Sequence, residues 1–150
     1  MAGSRPLALR DDYAVFQPIT TRWADNDLYG HINNVTYYAF FDTAVNRFLI
    51  EQGGLDIQNG NVIAYVVNST CQYRQALAFP DAIEAGIRVE KLGNSSVTYG
   101  VGIFKAGASE ASAFGEFVHV FVDRQTQKPV AIPTPIRAAL ERIARAPDAC

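Results

Sequence analysis

The sequence predicts an α+β fold in which a curved antiparallel sheet wraps around one long apolar helix. An apolar run from Val35 to Ile50 is too long for an ordinary strand and stops at Gly53-Gly54. Four strand-like segments follow, joined by short loops that favour antiparallel neighbours. Glycines inside these segments would permit strong curvature, namely Gly86, Gly100, Gly102 and Gly115.

The first half of the chain holds one strand and the helix. Residues 1–12 look like a loose tail, and residues 13–150 are expected to form a single domain. Residues 13–22 are strand-like, and Pro18 is typical of an edge strand or a bulge. The helix over 35–50 carries apolar residues on nearly every side, which predicts a helix buried all round.

The second half reads mainly as strands. Residues 62–73 are rich in β-branched and aromatic types, LAFPD is a turn, and 96–105 and 112–123 are further strands. Residues 82–91 alternate, with Ile83, Ala85, Ile87 and Val89 on one face and Glu84, Arg88 and Glu90 on the other. Thr134-Pro135 is predicted to start a short terminal helix with Thr134 as its N-cap.

Composition narrows the function classes. The chain has 150 residues, 49% of them apolar and 19% charged, with a net charge of −2, which gives no general attraction to nucleic acid or an anionic membrane. Cys71 and Cys150 form no disulfide framework or zinc spacing, which favours a reducing compartment. No secretory signal or membrane-length apolar run is visible, so we expect a cytoplasmic protein.

The segment RWADNDLYGHINN, residues 22–34, places many polar groups just before the apolar helix. In a purely structural interpretation, Asn33 or Asn34 caps the helix and Gly30 makes a turn. That interpretation accounts for one asparagine and one acid. It leaves a second acid, a histidine and a second asparagine without a role.

A metal loop is a second interpretation of the same segment. Asp25, Asp27 and Gly30 match positions 1, 3 and 6 of a calcium-binding EF-hand. The match fails at position 5, where Tyr29 stands in place of an oxygen ligand, and at position 12, where Thr36 stands in place of the bidentate glutamate. A zinc site would lack a second nearby histidine or cysteine.

Catalysis is the third interpretation. A helix N-terminus offers free N–H groups that can hold a carbonyl oxygen as negative charge builds on it. A neighbouring carboxylate can attack that carbonyl or activate a water molecule. The sequence has no G-x-S-x-G motif, and Cys71 lies within a strand-like run, so the common nucleophiles find no support.

RWADNDLYGHINN, with the aromatic-rich helix VTYYAFFDTA behind it, resembles the signature of the hotdog-fold acyl-CoA thioesterases of the 4-hydroxybenzoyl-CoA thioesterase type. That signature is close to R-W-x-D-x-D-x-x-G-H-x-N-N. The likeness covers about residues 15–125 and includes the later L-G-N-S-S turn.

The resemblance implies a hotdog fold that pairs into homodimers or homotetramers, with the active site at the dimer interface. It assigns catalysis to Asp27, as general base or nucleophile, and polarisation of the thioester carbonyl to a backbone N–H near Asn34. His31 would orient the substrate or hold the loop, and Asn33 would cap the helix or position the water. Coenzyme A would be met by side chains around the later strands, for which the candidates are Arg88, Lys91, Arg74, Ser95 and Ser96.

Three other polar residues receive structural roles. Asp25 is expected to pair with Arg22, and His119 to lie in the core or at an interface. Asp42 either helps to hold the loop or the water molecule, or pairs with Asn46 one helical turn on.

We therefore expect an acyl-CoA thioesterase that needs no metal or redox cofactor, since coenzyme A enters as part of the substrate. We expect no nucleic acid or membrane partner. The alternatives are a non-catalytic acyl-CoA binding or sensing module, and a dehydratase of the same fold. The dehydratases use an acid and a histidine on the helix itself, which is not evident here.

Overall fold

A computed structural model describes residues 9–144 and places them in a six-stranded antiparallel sheet curved around one long helix. The elements are β1 (Val15–Ile19), α1 (Thr36–Gly53), β2 (Val62–Ser69), β3 (Gln72–Tyr73), β4 (Ile83–Leu92), β5 (Ser96–Lys105), β6 (Ala113–Asp123) and α2 (Thr134–Arg142). The sheet order is β1-β4-β5-β6-β2, and the short β3 also pairs with β6. This is the predicted hotdog arrangement. Cys150 lies outside the described residues.

The main core lies between α1 and the concave face of the sheet. The alternation predicted for the second half is confirmed, because Ile83, Ala85, Ile87 and Val89 are all buried against the helix side. The helix ends as predicted, with Gly54 in the left-handed conformation at φ 71°. Within residues 9–144, neither helix combines the length and the apolar character that a membrane crossing requires.

His119 lies in this core, as predicted, surrounded by aromatic rings. Its ring centroid is 5.1 Å from that of Phe117 and 5.5 Å from that of Tyr99, whose hydroxyl lies 3.4 Å from His119 Nδ1. Burial lowers the pKa of His119 to about 4, because a charged imidazolium would lose its hydration there. The side chain is therefore a neutral packing element at physiological pH.

The prediction that α1 is buried all round is wrong for the single chain. The helix buries Tyr37, Phe41 and Val45 on one side, but Asp42, Thr43 and Ile50 are exposed on the other. A curved sheet of six strands covers only one side of a helix. The other side, apolar in part, faces solvent in the isolated chain.

A second cluster covers the convex face of the sheet. Tyr13, Phe16 and Phe104 pack edge to face there, with centroids 5.5–6.4 Å apart. A Cβ at Gly102 would approach the Tyr13 ring to 2.8 Å, so this strand glycine makes room for an aromatic ring as well as for curvature.

The predicted tail boundary also changes. Residues 1–8 lie outside the described part, but Arg10–Asp12 form a 3-10 turn rather than loose chain. Arg10 Nη2 lies 2.6 Å from Glu84 Oε1, and its guanidinium stacks 4.6 Å from the Phe16 ring centroid. These contacts hold residues 10–12 against the convex face of the sheet. No pattern within the segment itself predicts this packing.

Two local predictions need correction. The strand expected over 62–73 is divided into β2 and β3, because the backbone at Thr70 and Cys71 crosses directly over Gly115. The terminal helix begins at Thr134 with a proline in its first turn, as predicted. No side chain caps it, and Pro133 precedes it in place of the Thr134 N-cap.

Candidate active site

The loop before α1 is organised by Asp25, whose carboxylate is only 1% exposed. It accepts hydrogen bonds from the Arg22 backbone N–H at 2.8 Å and from Arg22 Nε and Nη2 at 3.1 and 2.8 Å. The backbone carbonyl of Asp25 accepts a further bond from the N–H of Asn33 at 2.9 Å. Asp25 therefore fixes both ends of the loop, which confirms its predicted pairing with Arg22.

Asp27 lies at the start of a tight turn. The Gly30 N–H donates to the Asp27 carbonyl at 3.0 Å, and the Asp27 N–H donates to the His31 carbonyl at 2.8 Å. Gly30 has a φ of 85°, which a residue with a side chain rarely adopts. The Asp27 carboxylate accepts only the exposed N–H of Tyr29 among the hydrogen bonds of residues 9–144. Its second oxygen therefore remains open to a substrate or a water molecule.

A later segment holds this loop in place. The Ile32 N–H donates to the Leu77 carbonyl at 2.7 Å, and the Phe79 N–H donates to Asn26 Oδ1 at 2.9 Å. The acid loop is thus attached to the turn that follows β3.

The start of α1 leaves one amide available. Asn33 Oδ1 accepts the Val35 N–H at 3.0 Å, and the Asn33 carbonyl accepts the Thr36 N–H at 2.9 Å, so Asn33 caps the turn that leads into α1. Neither asparagine is the N-cap of the helix itself, because Val35 holds that position and no side chain caps it. The Asn33 N–H itself is bonded to Asp25. Between residues 9 and 144 no acceptor takes the N–H of Asn34. This amide is the free donor of the helix start.

A cleft of about 310 Å³ brings the main candidates together. Its lining includes Asp27, His31, Asn34 and Arg74, four of the residues singled out from the sequence. Asn33 does not line it, in keeping with its capping bond. In such a cleft, the carboxylate can attack an acyl carbonyl or activate water to do so. The unpaired amide N–H can stabilise the negative charge that develops on the carbonyl oxygen.

Tyr73 also lines the cleft and was missed by the sequence analysis. Its hydroxyl donates a 2.8 Å hydrogen bond to the carbonyl of Asn34, 39 residues earlier, and its ring packs edge to face on Tyr37 at 5.2 Å. No motif or residue spacing in the sequence predicts a contact between a tyrosine in a strand and a loop so distant in sequence. An aromatic residue closing the 62–73 run was the only available signal.

Burial raises the pKa of Tyr73, and it raises the pKa of Cys71 to about 11. Both groups therefore keep their protons near neutral pH. Tyr73 remains a hydrogen-bond donor, and Cys71 is a poor nucleophile. Within the described chain, no three histidine, cysteine, aspartate or glutamate side chains are grouped as a metal ion requires.

Arg88 does not occupy the exposed position expected of a phosphate ligand. Its side chain is 7% exposed, and Nε lies 2.6 Å from Glu90 Oε2. It also donates to the Asp12 carbonyl and lies 5.9 Å from the Tyr13 ring centroid. The sequence pattern placed Arg88 on the polar face of β4, but the convex-face cluster covers that position. Arg88 is therefore buried and paired, which disfavours it as a coenzyme A contact.

The remaining coenzyme A candidates lie apart from the cleft. Lys91 is exposed at a bulge in β4, and Ser95 and Ser96 form the turn into β5, where the Gly93 N–H donates to the Ser96 carbonyl at 2.8 Å. None of the three lines the cleft that contains Asp27.

Three other clefts of the described chain are larger: two of about 470 and 500 Å³ run between β1 and α1, and one of about 370 Å³ lies beside the C-terminal end of α1. Asp25 lines one of them, but its carboxylate is already bonded to Arg22. Size alone therefore does not select the site. The smaller cleft is the one that combines an available carboxylate oxygen with a free amide.

Comparison with known proteins identifies chains that share this fold. The chain is similar to the PA5185 protein of Pseudomonas aeruginosa strain PAO1, with 59% identity and a TM-score of 0.91 over 93% of this chain and 98% of that one. It is similar in fold to Slr0204, a 1,4-dihydroxy-2-naphthoyl-CoA thioesterase from Synechocystis, with 16% identity and a TM-score of 0.75 over 83% and 93% of the two chains.

A curated relative is more distant. The YsmA protein of Bacillus subtilis (strain 168) is 21% identical over 89 residues, and the match spans 59% of this chain and 60% of that protein. The sequence also matches the thioesterase-like superfamily over residues 21–140, from the acid loop into α2. Because that match covers most of the chain, the protein belongs to the thioesterase-like superfamily.

Proposed function

We propose that this protein is an acyl-CoA thioesterase that hydrolyses its substrate to a free acid and coenzyme A, with a site of the 4-hydroxybenzoyl-CoA thioesterase type. One observation supports the proposal above the others. Asn34, whose N–H has no acceptor within residues 9–144, and Asp27, which keeps one carboxylate oxygen available, line the same cleft at the start of α1.

In the proposed reaction, the thioester carbonyl oxygen accepts the Asn34 N–H, which stabilises negative charge as the carbonyl carbon is attacked. Asp27 acts in one of two ways. Its carboxylate can remove a proton from the attacking water, or it can attack the carbon itself and form an anhydride that water then opens. In both routes the carbon–sulfur bond breaks with its electron pair on sulfur, and the coenzyme A thiolate that leaves takes up a proton supplied by the water.

His31 and Arg74 line the same cleft and are placed to contact the substrate. We assign His31 to orientation of the thioester and Arg74 to the negatively charged coenzyme A, because Arg74 is exposed and carries a fixed positive charge. Lys91, Ser95 and Ser96 remain candidate contacts only if coenzyme A extends across a subunit boundary.

We also propose that the active form is a dimer or a tetramer. β2 pairs only with β6 within the described residues, and it exposes Tyr65, Val66 and Val67. An uncovered apolar edge strand favours pairing with another strand. Light scattering on the purified chain distinguishes a monomer from these assemblies.

The test replaces Asp27 by asparagine and by alanine and follows thiol release from a panel of benzoyl-like, short aliphatic and long aliphatic acyl-CoAs. We expect kcat on the best substrate to fall at least about 100-fold, the usual effect of removing a general base or nucleophile. Asp42→Asn is the matched control, because Asp42 is an exposed acid on α1 whose carboxylate bonds Asn46 at 3.0 Å.

Two outcomes would contradict the proposal. Full activity in both Asp27 variants would remove Asp27 from the mechanism. Tight binding of acyl-CoA by the unmodified chain without thiol release would indicate a binding or sensing module instead.

A further inference from the structure

We propose that Tyr73 is a positioning residue for the reaction, acting through Asn34. This inference rests on the proposed function and adds a residue that the family signature in residues 22–34 does not contain. Tyr73 touches the helix start from a different strand, and its hydroxyl bonds the carbonyl of the residue whose N–H is free.

The hydrogen bonds around Asn34 show what Tyr73 contributes. Upstream, the Asn33 N–H is held by Asp25, and downstream, the Val35 and Thr36 N–H groups are held by Asn33. The Asn34 carbonyl has a weak partner inside the first turn, the Tyr37 N–H at 3.3 Å. The 2.8 Å bond from Tyr73 is therefore the short contact that fixes this residue from its C-terminal side.

The ring of Tyr73 is held independently of its hydroxyl. It packs edge to face against Tyr37, which is buried in the core, and β3 is paired with β6 through Ala113. Removing only the hydroxyl would leave the ring in place. The effect of the hydrogen bond can therefore be separated from the effect of packing.

An oxyanion donor stabilises a transition state only if it already points at the developing charge. Substrate binding depends on the whole acyl-CoA, whereas the Asn34 N–H bonds an oxygen that gains charge only during reaction. Loss of the Tyr73 hydroxyl should therefore lower kcat and leave KM nearly unchanged.

The experiment compares Tyr73→Phe with Tyr13→Phe, a control for the loss of a tyrosine hydroxyl in the convex-face cluster, outside the cleft that contains Asp27. Steady-state kinetics use the best acyl-CoA from the panel. We expect kcat of Tyr73→Phe to fall about tenfold with KM within about twofold, the size of one lost hydrogen bond in the transition state. Tyr13→Phe should match the unmodified chain in kcat and KM.

A second measurement does not depend on turnover. The ¹⁵N-labelled amide of Asn34 is followed by nuclear magnetic resonance in the unmodified chain and in Tyr73→Phe. We expect a changed chemical shift and exchange broadening of this resonance in the variant, because the Asn34 carbonyl has lost its short contact with Tyr73. The amide of Gly30, on the far side of the loop, should be unchanged.

The outcomes separate the two proposals. Unchanged kcat in Tyr73→Phe, with Asp27→Asn inactive, overturns the role of Tyr73 and leaves the proposed function intact. A higher KM at constant kcat, or a melting temperature lowered by more than about 5 °C, would make Tyr73 a binding or purely structural residue. If the unmodified chain hydrolyses no thioester, the proposed function fails, and an unchanged Asn34 amide in the variant would then overturn the positioning role as well.

Discussion

Replacing Asp25 should lower the stability of the protein, whereas replacing Asp27 should lower its activity and leave its stability nearly unchanged. The effect of Asp25 on stability can be worked out from its hydrogen bonds. Asp25→Ala removes a buried carboxylate that accepts three hydrogen bonds from Arg22. The bond to the Arg22 backbone N–H is buried on the acceptor side and charge-assisted, and bonds of that kind contribute about 1.5–3 kcal/mol. The guanidinium adds little, because the Arg22 side chain is 73% exposed and water competes for it.

We therefore expect Asp25→Ala to lower the free energy of unfolding by about 2–3 kcal/mol, most of it from the backbone bond. For a chain of this length that corresponds to a melting temperature lower by about 5–10 °C. Arg22→Ala keeps the backbone bond and should cost less than about 1 kcal/mol. The Asp27 carboxylate accepts, within residues 9–144, only an exposed N–H, so Asp27→Ala should leave the melting temperature nearly unchanged.

The assay is urea unfolding followed by far-ultraviolet circular dichroism at one protein concentration. The fluorescence of Trp23, the single tryptophan, provides a local signal inside the same turn. Equal losses in Arg22→Ala and Asp25→Ala would refute the reasoning, because the guanidinium pair would then hold the loop. So would an Asp25→Ala variant within about 0.5 kcal/mol of the parent chain.

Two further predictions concern the core and the sheet. His119 resists protonation until about pH 4 when folded but titrates near 6.5 when unfolded, so stability should be complete above pH 6.5 and fall on acidification. The fall between pH 7 and pH 5 should be on the order of 2 kcal/mol, and His119→Phe should lack this component in urea titrations at the two pH values. An equal pH dependence in both chains would contradict it. Gly115→Ala should lower stability by about 3 kcal/mol or more, because the new Cβ meets backbone atoms of Thr70. Gly93→Ala meets chiefly the rotatable hydroxyl of Ser96 and should cost under about 1.5 kcal/mol by thermal unfolding, whereas equal losses would show that the backbone at Thr70 yields.

Elements defined by local patterns could be predicted from the sequence. The apolar run and the Gly53-Gly54 stop located α1, and the period of two along β4 identified its buried face. The acid loop was equally accessible, because its turn at Gly30 and its cap at Asn33 are completed by bonds within a few residues. Hydrogen bonds between residues close in sequence can be predicted from the residue types and their spacing.

Features that depend on distant segments could not be predicted in this way. Alternation assigned Arg88 to the polar face, but residues 9–14 fold over that face and bury it. One side of α1 is exposed because the curved sheet covers only the other side. The residue pattern of the helix cannot predict how far the sheet extends around it. Tyr73 reaches the site only because β3 returns beside the helix start, so its role follows from topology.

The attachment of the acid loop to Leu77 affects when the site can form during synthesis. Both acids and both asparagines emerge from the ribosome well before the carbonyl that binds the Ile32 N–H and the hydroxyl of Tyr73 that binds Asn34. A nascent chain that ends before β3 holds the reacting groups without the partners that close the loop. Because β3 is itself held by pairing with β6, the site can be completed only once the chain has passed β6.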